Sequence, residues 1–122
     1  MNEKVKLTNL KSAFARLKEG MNHVENDLAR DGVIQRFEFT FELVWKAIQE
    51  YARISGLEVV SPRDAFRVAS ELKLIDNPDE WFVFLKDRNE TTHLYDEAQA
   101  KEIFSHLPGF IQNVELLISK LS

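Results

Sequence analysis

An all-α fold is what this sequence predicts: an up-down-up-down four-helix bundle with one short extra helix, paired as a homodimer. Three observations carry that expectation. Apolar residues recur every three and four positions through almost the whole chain. Two segments open with a capping side chain followed by proline, the mark of a helix N-terminus. The one β-like stretch, Gly56 to Val60, has no second strand to pair with and is expected to be a loop.

In the first segment Leu7, Leu10, Phe14, Leu17, Met21, Val24 and Leu28 step by three and four, which lays one apolar seam along a helix of about six turns. Thr8 or Asn9 can cap its start, and Ala29-Arg30-Asp31-Gly32 suits the turn that ends it. Ile34, Phe37, Phe41, Val44, Ile48 and Tyr51 repeat the pattern in a second helix ending near Ser55-Gly56. Phe39, Leu43, Trp45 and Ala47 widen its apolar surface beyond one seam, so it must be covered on more than one side. That places it at the centre of the bundle or at a subunit interface, and underlies the expected homodimer.

Ser61-Pro62-Arg63-Asp64 starts a short helix carrying Ala65, Phe66, Ala69 and Leu72. Asn77-Pro78-Asp79-Glu80 starts the next, which continues through Trp81, Phe82, Phe84, Leu85 and Arg88. The last segment reads Ala100, Phe104, Leu107, Ile111, Val114, Ile118 and Leu121. Pro108-Gly109 in its midst predicts a kink or a one-turn break, because proline lacks the N–H of the helical bond and collides with the preceding turn.

At 122 residues with 44% hydrophobic side chains, the chain can close one core, so residues 1–122 are expected to form a single domain. It has no cysteine, which excludes disulfides and thiolate zinc sites and fits a reducing compartment. Met1 to Thr8 is charged and lacks the apolar stretch of a signal peptide, and no window has the length of a membrane span. A cytoplasmic protein without membrane contact is expected. The net charge of −4 argues against a general electrostatic grip on nucleic acid, so any such chemistry must be local or assisted by a partner. Neither a metal nor a cofactor is expected, since no His/Asp/Glu set has ligand spacing. No glycine-rich segment suits a phosphate cradle, so the chain is not itself expected to transfer nucleotides.

The most informative run is Lys86-Asp87-Arg88-Asn89-Glu90-Thr91-Thr92-His93-Leu94-Tyr95-Asp96-Glu97. Arg88 offers a planar fork for phosphate oxygens, His93 a proton near neutral pH, and Tyr95 a hydroxyl and a stacking face. Those are parts of a phosphodiester-cleaving or nucleotide-binding site. The same residue types also occur along ordinary solvated helix ends, so the spacing by itself leaves both readings open.

Further residues carry the comparison. Gly32-Val33-Ile34-Gln35-Arg36-Phe37-Glu38-Phe39-Thr40-Phe41-Glu42-Leu43-Val44-Trp45-Lys46, the Ser61-Pro62-Arg63 turn, Trp81 and the run from Arg88 to Glu97 resemble the nucleotidyltransferase substrate-binding proteins of the HEPN superfamily. The resemblance covers nearly the whole chain. It implies a small four-helix bundle that forms homodimers and is encoded beside a minimal nucleotidyltransferase. It also implies, for many such pairs, a metal-independent ribonuclease toxin whose antitoxin is that nucleotidyltransferase. The family's catalytic motif maps onto Arg88 and His93, and the tyrosine that some antitoxins silence with AMP maps onto Tyr95.

Metal-free RNA cleavage uses the neighbouring 2′-hydroxyl as nucleophile and needs a base, an acid and positive charge at the phosphorane. One His and one Arg are too few, whereas a homodimer setting two motifs across its two-fold axis supplies two of each. Asn89 can orient the phosphate or the guanidinium, or merely cap the helix. Glu38, Glu42 and Lys46 fall on one helical line and either hold Arg88 or form an exposed ladder. His23 and His106 lack flanking motif chemistry and are expected at the surface or rim. Three functions stay open: a ribonuclease toxin with Arg88 and His93 catalytic and Tyr95 modified, a subunit binding RNA or nucleotide substrate for a separate transferase, or a structural helical dimer with a decayed site.

Overall fold

The computed structural model describes residues 4–122; Met1 to Glu3, part of the charged start noted above, lie outside the described residues. Five α-helices follow in order: α1 Val5–Met21, α2 Asp27–Ile54, α3 Pro62–Glu71, α4 Pro78–Glu90 and α5 Glu97–Leu121, with a 3₁₀ turn at Thr91–His93 between the last two. Among the described residues there is no strand, and residues 57–60 form a loop.

The helix α2 touches all four other helices, which accounts for its broad apolar surface. Its cross-links fix direction. Arg36 Nη1 donates to the Arg16 carbonyl at 2.7 Å, Thr40 lies over Ala13, and Glu50 reaches Lys6 and Leu7, so α1 runs antiparallel to α2. Glu42 pairs with Arg88 and Glu38 with Thr91, so α4 is antiparallel to α2 as well. Arg30 faces Glu97 while Phe37 and Phe41 face Phe110, which makes α5 parallel to α2. One contiguous apolar core results. At its centre Phe66 stacks on Trp81 at 5.1 Å and Phe110 meets Phe37 edge-on at 4.8 Å, the offset and T-shaped geometries that aromatic quadrupoles favour.

Several element ends differ from the sequence expectation. The first helix stops at Met21, and Leu28 stands exposed on the first turn of α2. Asn26 is the reason: its side chain accepts from the Ala29 N–H at 2.8 Å and starts α2 there, so Gly32 lies within that helix. Neither Thr8 nor Asn9 caps α1. The buried Glu50 carboxylate of α2 instead accepts from the N–H of Lys6 at 3.0 Å and of Leu7 at 3.4 Å, satisfying two of that helix's free donors from outside it. Pro62 and Pro78 each open their helix behind the caps Ser61 and Asn77.

Helix α5 passes through Pro108 without the one-turn break. Its buried seam is Ala100, Ile103, Leu107, Phe110, Val114, Leu117 and Leu121, so Phe104, Ile111 and Ile118 flank the core instead of entering it. Both alternatives step by three and four, which is why the period alone did not choose between them.

Candidate functional site

The run from Arg88 to Tyr95 occupies the last turn of α4, the 3₁₀ turn that follows and the two turn residues after it. Three anchors hold it. Thr91, buried, shares its hydroxyl proton between a Glu38 carboxylate oxygen of α2 and the Arg88 carbonyl, the latter at 2.7 Å. Leu94 packs against the core. Asp96 caps α5, its carboxylate accepting from Ala98 N–H at 3.0 Å and Gln99 N–H at 3.3 Å, while its own N–H donates to the His93 carbonyl. Buried and capped positions thus alternate with His93 and Tyr95, which are left facing solvent.

Arg88 is partly buried, and its guanidinium Nη2 donates to Glu42 Oε2 at 2.8 Å. Glu42 Oε1 in turn lies 3.6 Å from Lys46, and Arg88 Nη1 reaches the Asn89 side-chain oxygen at 3.4 Å. Both alternatives weighed for the Glu38, Glu42 and Lys46 line are present in part: Glu42 pairs with Arg88 across to α4 and with Lys46 along α2, and Glu38 accepts from Thr91. An ion pair this exposed contributes at most ~1 kcal/mol to stability, so its larger effect is to fix the guanidinium's direction. Asn89 does not cap the helix, since Thr91 occupies the C-terminal flank of α4.

His93 Nδ1 lies 3.1 Å from the Tyr95 hydroxyl, with the two rings edge to face at 5.8 Å. The pair is exposed, Tyr95 at 85%. When Nδ1–H donates to the phenol oxygen, Nε2 carries a lone pair and can take a proton, and the imidazolium so formed, still donating through Nδ1–H, can give it up as an acid; when the phenol donates to Nδ1, Nε2–H is only a neutral hydrogen-bond donor. The phenol oxygen, as acceptor, thus orients Nε2 for both parts.

A polar pair beside the motif was not foreseen. Asp87, buried against α5, sits 2.7 Å from His106 Nδ1. Burial holds the Asp87 carboxyl above its ordinary value, and the His106 hydrogen bond and charge oppose that rise. His106 is therefore half-buried and tied to α4, more than the rim residue expected, because position 106 lies one turn from the buried Ile103 on the α4-facing side. A buried aspartate next to the motif arginine, with a histidine facing it from the last helix, was the available signal. His23 is exposed, as expected. Among the described residues no helix is long and apolar enough to cross a membrane.

The sequence matches the family described as "Nucleotidyltransferase substrate binding protein like" over residues 5–122. The chain belongs to that family. Among relatives of this nucleotidyltransferase substrate-binding type, a Haemophilus influenzae protein named "Probable ribonuclease HepT" is 25% identical over 138 residues, spanning 99% of this chain and 94% of that one. A crystal structure from Thermus thermophilus superposes with a TM-score of 0.86 at 37% identity, covering 92% of this chain and 98% of that one. A second structure, from Haemophilus influenzae and described as the fold of a substrate binding domain of a nucleotidyltransferase, gives 0.86 at 23% identity over 94% and 98% of the two chains; at that identity it supports the shared fold alone.

Proposed function

We infer that this substrate-binding-family protein is a metal-independent endoribonuclease acting as a homodimer, a toxin kept silent by a nucleotidyltransferase encoded nearby that adds AMP to Tyr95. The observation that carries the reading is the exposed His93–Tyr95 pair following an Arg88 whose guanidinium is held by Glu42. In the dimer, one His93 takes the 2′-hydroxyl proton, the other protonates the leaving 5′-oxygen, and the two Arg88 forks stabilise the phosphorane. The helix directions support an up-down-up-down four-helix bundle working as one HEPN-like domain, and the lack of cysteine fits the cytoplasm as its compartment. Leu28, 83% exposed on the first turn of α2, leaves apolar surface for the second copy. Sedimentation at micromolar concentration is expected to give a dimer; a 14.2 kDa species alone contradicts it.

AMP on the Tyr95 oxygen turns the phenol that orients His93 into a phosphate ester, places a phosphate where it competes for an arginine fork, and lays an adenosine across the RNA path. Intact-mass spectrometry after incubation with the nucleotidyltransferase, ATP and magnesium tests it: added AMP mass at Tyr95 is expected, with Tyr95→Phe escaping neutralisation. A demonstrably active partner that adds no mass, or adds it elsewhere, supports the other reading, a non-catalytic subunit that holds RNA or nucleotide substrate. The net charge of −4 is what favours that alternative, because it leaves little general affinity for long RNA.

A further inference from the structure

Gly32 is a mid-helix glycine that this chain does not need for its own packing. A Cβ built there meets nothing within 4 Å, and the residue has ordinary helical backbone. Glycine inside a helix is nonetheless less favourable than alanine by ~1 kcal/mol. Gly109 has the same open space, but Gly32 alone lies at the meeting of two clefts on the surface of α2. One cleft, of about 390 Å³, lies toward the Arg88–Tyr95 segment and is bordered by Leu28, Asp31, Glu38, Thr91 and Leu94, with Asp31 paired to Arg30 and Glu38 to Thr91. The other, of about 400 Å³, lies toward the end of α1 and is bordered by Arg16, His23, Arg36 and Phe39. Both include Gly32 and Gln35, so the absent side chain opens one depression into the other.

The second cleft is built for an anionic, stacking ligand. Two guanidiniums face one carboxylate, Glu19, so the cleft is locally positive on a chain whose net charge is −4. Neither Arg16 nor Arg36 forms an ion pair among the described residues, in contrast to Arg30 with three acidic neighbours and Arg88 with Glu42. Arg36 is also preset. Gly20 lets it lie against α1, where a Cβ would come within 3.2 Å of Arg36 Nη1, and that nitrogen donates to the Arg16 carbonyl, leaving the rest of the fork unused. Phe39 stands 51% exposed two turns along α2 from Gly32, about 10 Å away. A free aromatic face beside unpaired arginines is the combination that holds single strands, phosphates on the cations and a base on the ring.

We propose that the α1–α2 cleft of Arg16, His23, Arg36 and Phe39 is an accessory subsite for single-stranded RNA, and that Gly32 is the low point over which the strand passes to the Arg88–His93 site. The proposal rests on the ribonuclease reading and supplies what the acidic chain otherwise lacks, a local grip on substrate. Phosphates spaced along the strand meet the two arginines, a base lies on Phe39, and the backbone crosses α2 over Gly32, beside Gln35.

The test is fluorescence anisotropy of a labelled single-stranded RNA of about 12 nucleotides, a length suited to a single-strand groove, with the His93→Ala protein as a background that binds without cleaving. Gly32→Leu fills the depression with a better helix former, so its melting temperature should hold or rise while RNA affinity falls ~10-fold or more. Arg16→Gln should weaken binding and flatten the salt dependence by about 0.7 in log–log slope, and Phe39→Ala should cost ~10-fold. Unchanged affinity in folded Gly32→Leu and Phe39→Ala, with RNA still bound and cleaved by the unaltered chain, overturns the subsite and leaves the ribonuclease reading standing. Absence of any RNA binding or cleavage by the unaltered chain overturns both. A Gly32→Leu protein that loses its dimer in sedimentation without altered RNA affinity per protomer overturns the proposal in favour of a subunit contact on this face.

Discussion

The arginine of the motif owes its direction to a residue in another helix. Glu42 accepts from Arg88 at 2.8 Å, and both side chains are about one-third exposed, so water screens the pair and its loss costs little stability. A guanidinium that must meet a phosphate in one geometry loses more, since misplacing a catalytic cation is felt in the rate. We therefore expect Glu42→Gln to lower RNA cleavage ~10-fold or more while shifting the denaturation midpoint by less than ~1 kcal/mol. A large stability loss with normal residual activity per folded molecule would show that the pair is structural. At this scale the sequence exposed Arg88, His93 and Tyr95 because their chemistry is local. It could not choose between an anchored and a solvated Glu42, because that depends on where α4 crosses α2. Thr91 and the Asp87–His106 pair were hidden for the same reason: each partner lies in a different helix.

The helices themselves were legible where their signals are local. Ser61-Pro62 and Asn77-Pro78 both start helices as their caps require, and Gly56, at φ 85°, ends α2 in the left-handed conformation that glycine takes without penalty. The N-terminus of α1 was not, because its donors are satisfied by Glu50 from 43 and 44 positions away. The boundary between the first two helices was misread since the apolar period runs on through Val24 and Leu28, and only the cap at Asn26 interrupts it. One helix end is built against propensity. Lys73 takes φ 60° behind α3, where Leu74 N–H bonds the Ala69 carbonyl at 2.8 Å and Lys73 N–H the Ser70 carbonyl at 3.1 Å. That is the same double bond pattern that Gly56 and Leu57 complete after α2. A β-carbon is strained there, so Lys73→Gly should stabilise the protein by ~0.5–1 kcal/mol, read as a raised urea midpoint with unchanged slope. A lowered midpoint would mean that the lysine side chain makes up for its backbone.

At the scale of the whole molecule, one pH dependence comes from Asp87, a carboxyl that burial disturbs. Asp87 is raised above its ordinary value of 3.8 chiefly by desolvation, with Glu102 adding to the rise and His106 and Lys86 opposing it. In the window between 3.8 and the raised value the folded chain binds the proton more than the unfolded chain does, so this group's contribution to stability falls as pH rises through that window. Urea midpoints across pH 4 to 7 should show the difference between the unaltered protein and Asp87→Asn changing in that sense, in favour of the variant as pH rises; a difference that stays flat would mean that the pair with His106 cancels the burial. The fold class was readable from period and caps, while the seam of α5 and the placing of α2 were set by packing that no single helix encodes.

The central claim is that Arg88 and His93 cut RNA without metal, and purified protein with labelled RNA in excess EDTA tests it most directly. The unaltered chain is expected to cleave the RNA to products ending in a 2′,3′-cyclic phosphate. Arg88→Ala and His93→Ala, each with a nearly unchanged melting temperature, should be slowed ~100-fold or more. No cleavage by the unaltered chain, or full cleavage by a folded His93→Ala protein, contradicts the account.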